Sequence, residues 1–429
     1  MNANPGDRIE VRTAEESYEG VLMPSESKDS IFLKLNNGYN VGISKEKIRS
    51  IKTLEKAKAV KEEKPKPVKE NKKLPTISIL HTGGTIASKV DYKTGAVVAK
   101  FKPEELLSLF PELEKIANIR SILISNLQSE NMRFAHYNLI ANAIEKELKN
   151  KPKGIIITHG TDTMHYTSAA LSLILEGIDV PVILVGAQRS SDRGSSDSAT
   201  NMISAAKFIA NTKFKGVGIC MHSDTGDESA YILPAMQTRK LHTSRRDAFN
   251  PINSTPIAEV FFNKDEIRFI DKKHYMPSGD FKLRLFGEDI KIGILRSHTN
   301  IMPEDISYFK NHKGLIIEGT GLGHFQTTSF DDISKINEKN KLELSKIIKN
   351  GCTVVLTSQC VFGRVDMNVY SPQRELLDIG VIPGDAIPTD TAFIKLAWVL
   401  SNYKDDIEKV MLQNLRGENP GRIQEDEYM

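Results

Sequence analysis

Residues 76 to 88 read Thr-Ile-Ser-Ile-Leu-His-Thr-Gly-Gly-Thr-Ile-Ala-Ser, an apolar β-prone run (Ile77, Ile79, Leu80) that passes straight into a turn holding two threonine hydroxyls around a glycine pair. The pattern predicts a buried strand ending in a tight loop. Gly83 and Gly84 can take dihedral angles closed to other residues, so the backbone can bend sharply and present Thr85 beside free N–H groups. A hydroxyl next to unpaired amides is a nucleophile next to an oxyanion site. Taken alone, the same turn also fits a strand-to-helix junction in which threonine serves as a cap.

A second stretch follows about one βαβ unit later. Gly154 to Thr163, Gly-Ile-Ile-Ile-Thr-His-Gly-Thr-Asp-Thr, again ends an isoleucine strand in a glycine turn, and this turn carries Thr161 and Asp162 ahead of a helical run from Met164. In open α/β sheets, ligands sit beyond the carboxyl ends of the strands, so two such loops on parallel strands face one cleft. Thr82-Gly83-Gly84-Thr85-Ile86-Ala87 and His159-Gly160-Thr161-Asp162-Thr163-Met164, in this order and spacing, resemble the two signatures of the bacterial-type L-asparaginase/glutaminase family. Val185-Gly186-Ala187-Gln188-Arg189-Ser190 is also similar to that family's strand and turn. The resemblance covers roughly residues 76 to 410 and implies an asparaginase-like two-lobed α/β core with mostly parallel sheets.

The rest of the chain divides around that core. Residues 1–53 alternate short β-prone runs with turn signals, including Asn36-Asn37-Gly38, and predict a small SH3-like β-barrel with no catalytic constellation, a stabilising or docking appendage. Residues 54–75 form a charged linker: eight lysines and four glutamates fall between Leu54 and Lys73, with almost no large apolar residue to pack. Residues 76–288 are expected to form the larger α/β domain with the catalytic threonines, and 289–429 a smaller C-terminal α/β domain. Gly319-Thr320-Gly321-Leu322-Gly323 is spaced Gly-x-Gly-x-Gly, one residue short of a dinucleotide fingerprint, which argues against a nicotinamide site.

Composition narrows the function classes. With 429 residues the chain can hold two to three domains, and its formal net charge of +3 demands neither nucleic acid nor membrane as a direct partner. Cys220, Cys352 and Cys360 lie among apolar neighbours without metal-ligand spacing, so buried reduced thiols and a cytoplasmic setting are expected. No apolar run approaches a membrane span, and the first residues lack the apolar region of a signal peptide. Five cationic or imidazole groups between Thr238 and Arg246 could form an exposed patch.

An amide resists hydrolysis because its carbonyl is poorly electrophilic and its leaving amine strongly basic, and a covalent route splits that barrier in two. A threonine hydroxyl needs a proton acceptor, which a lysine in a desolvated cleft, held by a carboxylate, can be. The residues offer Thr85, Thr161, Asp162 and a pool of lysines. The family resemblance selects Lys240 as the base, with Thr85 as the primary nucleophile, Thr161 as the supporting hydroxyl and Asp162 as the orienting carboxylate. It also matches Tyr92 to the family's flap tyrosine and Ser129 and Glu130, ahead of Met132, to its substrate-anchoring pair. Backbone amides of the glycine turns, at Gly84 and Gly160, are expected to supply the oxyanion site. Ser129 and Glu130 could instead cap the helix that follows, and Tyr92 could be ordinary loop packing. His81 and His159 read as hydrogen-bonded supporting residues, and no metal is expected.

The barrel and linker ahead of the core, with the basic segment from Lys240 to Asp247 inside it, resemble the D-type component family of archaeal-type glutamyl-tRNA(Gln) amidotransferases. That resemblance implies a glutaminase, with asparagine as a possible substitute substrate, working beside an E-type partner protein that binds Glu-tRNA(Gln), carries ATP and Mg, and takes ammonia through a tunnel. It implies a homodimer of this chain within a heterotetramer, no cofactor in this chain, and no membrane contact. The absence of a Gly-x-x-x-x-Gly-Lys-[Ser/Thr] loop agrees with that division of labour. The competing reading is a stand-alone cytoplasmic L-asparaginase with an accessory barrel, and beyond that an enzymatically silent scaffold. Residues 366–374 are candidates, by position, for completing a neighbouring copy's cleft.

Overall fold

The structure is a computed structural model that describes residues 3–25, 27, 29–35, 40–56, 71–84, 86, 88–90, 97–99, 106–107, 109–189 and 196–423. Thr85, Tyr92 and its flap, the Asn36-Asn37-Gly38 turn and linker residues 57–70 lie outside them.

Near the N-terminus, five antiparallel strands from Arg8–Arg12 to Ser50–Glu55 form one small sheet, with the first strand joining the second to the last. Alternate residues point inward, so Ile9, Val11, Leu22, Ile31, Leu33 and Ile43 are buried together. A handful of aliphatic side chains, each contributing about 1.5–3 kcal/mol on burial, makes a core for so small a unit.

Among the described residues the large lobe is built on eight strands. Named by their first residues, they lie in the order Ile267, Ala258, Ser229, Gly216, Pro181, Gly154, Thr76, Asn118. The five strands starting at Asn118, Thr76, Gly154, Pro181 and Gly216 are parallel, and the three beyond Gly216 are antiparallel. In chain order the parallel part reads 2-1-3-4-5, which places the switch of winding direction between Thr76–Gly83 and Gly154–Thr158. Ile155 and Ile157 pack toward one face with the helices Phe134–Leu148 and Met164–Ile174, while Ile77, Ile79 and Ile156 pack toward the other with Ser198–Asn211. A strand buried on both faces is apolar throughout rather than alternating, which accounts for the run of three isoleucines. Past Ser229–Pro234 the sheet is completed by Ala258–Phe261 and then Ile267–Phe269, the latter forming its edge.

The small lobe has four parallel strands, Ile292–Arg296, Gly314–Gly319, Thr353–Ser358 and Ile382–Pro383. Its helix Thr389–Asn402 joins the large lobe's core, with Trp398 buried and its Nε1 donating to the Arg284 carbonyl at 2.9 Å. The glycine-rich 319–323 segment is a tight turn closed by Thr320 and His324, whose backbones exchange hydrogen bonds of 2.9 and 2.8 Å. Cys220 and Cys352 are buried, and burial raises the Cys352 thiol to about 11. Cys360 corrects the expectation of three buried thiols: it lies past the end of Thr353–Ser358 and is exposed. Among the described residues no helix is long and apolar enough to cross a membrane.

Candidate active site

Two strand ends meet at the switch point because their register is level: His81 pairs with Thr158. The ends are tied together by side chains as well. Thr82 Oγ1 donates to the Thr158 carbonyl at 2.9 Å, and His81 Nδ1 lies 2.9 Å from Thr158 Oγ1. The two glycines are required by closeness. Gly84 sits at φ 84°, and a Cβ there would lie 2.7 Å from Gly160 N. A Cβ on Gly160 would lie 2.7 Å from Ser129 Oγ, so Gly84, Gly160 and Ser129 converge on one spot.

Past Gly160 the turn delivers Thr161 and Asp162. Lys240 reaches both: its Nζ donates to Thr161 Oγ1 at 2.9 Å and to Asp162 Oδ1 at 2.8 Å. The lysine side chain is only 10 % exposed and the aspartate 66 %, which puts the amine at the floor of the cleft and the carboxylate at its rim. The structure therefore brings Thr161, Asp162 and Lys240 together, with Gly84, Gly160 and Ser129 alongside.

Ser129 is buried and does not cap the helix Phe134–Leu148, which is entered through Arg133, whose N–H donates to His136 Nδ1 at 3.0 Å. The Ser129 carbonyl accepts from Thr163 Oγ1 at 2.7 Å, which joins the anchoring turn to the Thr161 turn. Glu130 follows on the same short 3₁₀ turn with its side chain in solvent.

Both buried histidines are held neutral by desolvation, which lowers His81 and His159 to about 4. His159 Nδ1 donates to the Gly160 carbonyl at 2.7 Å and its Nε2 accepts from Thr167 Oγ1 at 2.8 Å, so the ring braces the turn.

Sequence reasoning passed over the support behind Thr161. The Thr161 hydroxyl faces Gln188 Oε1 at 3.5 Å, and the Gln188 and Arg189 N–H groups donate to the buried Asp197 carboxylate at 2.9 and 3.0 Å. An Asp-Ser pair opening the helix Ser198–Asn211 was the available signal, since Asp favours that position. Here its carboxylate caps no helix N–H but accepts from the Gln188 loop and from Asn201 Nδ2 at 3.2 Å.

The cationic segment is not a free patch. Lys240 pairs with Asp162, Arg245 with Asp247, Arg246 with Asp227, and Arg239 with Asp390. Such matched charges leave little field for an anionic partner.

Comparison with known proteins follows the same division of the chain. Residues 76–275 match the family described as Asparaginase, N-terminal; residues 291–411 match the Glutaminase/Asparaginase C-terminal domain; residues 3–54 match the GatD N-terminal domain. The D-type component of the glutamyl-tRNA(Gln) amidotransferase of Methanococcus maripaludis is 42 % identical over 419 residues, covering 96 % of this chain and 97 % of that one. Its counterpart in Pyrococcus abyssi is 41 % identical, covering 100 % of this chain and 98 % of that one. Among solved structures, the thermostable L-asparaginase from Thermococcus kodakarensis superposes with a TM-score of 0.71 at 27 % identity, over 81 % of this chain and 100 % of that one. L-asparaginase I from Vibrio cholerae gives 0.68 at 26 % identity, over 81 % and 99 %.

Proposed function

The chain belongs to the GatD family, the D-type component of glutamyl-tRNA(Gln) amidotransferases, and from that membership and the cleft's geometry we propose that it hydrolyses the side-chain amide of glutamine through a threonine acyl-enzyme and hands the ammonia to a tRNA-bound partner. The observation that carries the reading is the reach of Lys240 to Thr161 and Asp162 at the switch point of the sheet.

In this reading Thr85, next in the chain to Gly84, is the nucleophile. Its hydroxyl proton passes by way of Thr161 to Lys240, which acts as the base, as the oxygen bonds to the amide carbon. Asp162 holds the amine in place, and backbone N–H groups around Gly84 and Gly160 stabilise the oxyanion. The C–N bond then breaks, the nitrogen takes a proton from Lys240 and leaves as ammonia, and an ester to Thr85 remains. Water attacks that ester, releasing glutamate and restoring the hydroxyl. Ser129 and Glu130 anchor the amino-acid end of the substrate, and Tyr92 closes over it.

Free ammonia is diluted and protonated in water, which is the physical reason to couple its release to a second protein. Activation of the glutamyl group with ATP and Mg belongs to that E-type partner, which binds Glu-tRNA(Gln). The assembly in this reading is a homodimer of this chain within a heterotetramer, in the cytoplasm. A second reading, a stand-alone L-asparaginase, draws on the likeness to L-asparaginases over 81 % of the chain.

Replacing Thr85 by Val removes the hydroxyl at similar volume. It should lower kcat for glutamine by about a thousandfold or more, and unchanged turnover dismisses the nucleophile. Purification of the chain from its native cells separates the two readings. Recovery with a larger tRNA-binding protein that stimulates glutamine hydrolysis supports the amidotransferase, whereas fast, unstimulated asparagine hydrolysis by the lone chain favours the asparaginase.

A further inference from the structure

Lys240 does not stand on the large sheet that fixes Thr161. It ends a three-residue strand, Thr238–Lys240, which pairs with Phe249–Pro251 in a separate two-stranded ribbon. A hydrogen bond of 2.9 Å between groups on separate elements needs something to hold those elements at a fixed spacing.

One carboxylate from the small lobe spans the gap. Asp390, buried in the first turn of Thr389–Asn402, accepts from the Tyr166 hydroxyl on Oδ1 at 2.5 Å. Its Oδ2 pairs with Arg239, whose Nε lies 3.1 Å away, and faces His165 Nε2 at 3.4 Å, neither contact being an aligned hydrogen bond. Tyr166 and His165 lie on the first turn of the helix that follows Thr161 and Asp162, and Arg239 immediately precedes Lys240. The next residue helps: Thr391 Oγ1 donates to the Met236 carbonyl at 2.7 Å, pinning the chain that leads into the ribbon.

We propose that Asp390 is a positioning residue for amide hydrolysis: through it the small lobe ties the helix behind Thr161 and Asp162 to the strand bearing Lys240, and so sets the distance between base and hydroxyl. The inference rests on the reading of Lys240 as the base. It gives the small lobe a part in the chemistry although the cleft's catalytic groups all come from the large one.

The test compares Asp390→Asn, Arg239→Gln, Arg239→Lys and Lys240→Met in the full-length chain, with whatever partner co-purifies. Asp390→Asn keeps the shape and removes the charge. It is expected to lower kcat about tenfold or more while KM for glutamine stays within about twofold, because Asp390 contacts positioning groups and not substrate. Arg239→Gln should show the same split, and Arg239→Lys, which keeps a cation opposite the carboxylate, should recover part of the loss. If Lys240→Met is inactive while Asp390→Asn turns over within about twofold of the parent, the positioning role alone is overturned. Rises in KM that match the falls in kcat, or Arg239→Lys no better than Arg239→Gln, also overturn it. Full activity in Lys240→Met removes the base assignment, and this inference with it.

Discussion

Single residues in this cleft are constrained by what their neighbours leave open. A methyl group at Gly160 would stand 2.7 Å from Ser129 Oγ and 2.8 Å from Ser129 Cβ, closer than side-chain atoms approach. Gly160→Ala should therefore push the Ser129 turn outward, costing about 1–3 kcal/mol of stability by overpacking. With Ser129 as a substrate anchor, KM for glutamine rises by about tenfold, and Ser129→Gly in the same chain restores the stability; steady-state kinetics and thermal melting check both. A wild-type KM in Gly160→Ala removes Ser129 from the anchor. At this scale Thr161 and Asp162 were legible because they follow a strand and a glycine turn, a local pattern. Lys240 was reached only through the family resemblance, since nothing in the chain's own chemistry separates it from other lysines until the fold places it against Thr161. Gln188 and Asp197 were missed for the same reason: their contact with each other is local, but its purpose appears only beside Thr161.

At the scale of elements, strands buried on both faces carry polar side chains at their ends, where the site begins. His81 and His159 are neutral when folded, titrating near 4, whereas an unfolded chain's imidazoles titrate near 6.5. Between those values the unfolded chain binds more protons, so stability rises with pH; the contribution is whole above about 6.5 and is lost as pH falls toward 4, on the order of 3 kcal/mol per imidazole. Urea midpoints measured from pH 7 down to pH 5 should fall, and the fall should be shallower in His159→Gln. Parallel curves for the two proteins count against the assignment of His159 as a buried neutral ring. Strands such as Gly154–Thr158 were legible from their apolar runs. The ribbon Thr238–Lys240 with Phe249–Pro251 was not, because three residues are too few to show a period.

At the scale of the molecule, the C-terminal segment is fastened back onto the fold by a pair of charges removed from water. Lys395 and Glu418 are both fully buried and 2.7 Å apart. Lys395 also donates to the Met411 carbonyl at 2.8 Å, and Glu418 accepts from the N–H groups of Leu415 and Arg416 at 2.9 and 2.6 Å. Removing one partner of a buried pair strands the other, which costs about 3–5 kcal/mol. Glu418→Ala should lower the Tm clearly and open residues 414–423 to limited proteolysis. An unchanged Tm with the segment still protected rejects the clasp. Neither residue announces in the sequence a partner more than twenty positions away.

What the sequence determined by itself was the kind of fold and the place of its cleft. Apolar runs ending in glycine turns force buried strands with loops at one end, and those are local properties of backbone and side chain. The tertiary structure decided which lysine meets Thr161, which carboxylate from the other lobe steadies it, and which charges lie buried at the far end of the chain. Those outcomes depend on distances between segments far apart in sequence, fixed by how sheets and helices pack and by nothing that any one segment carries alone.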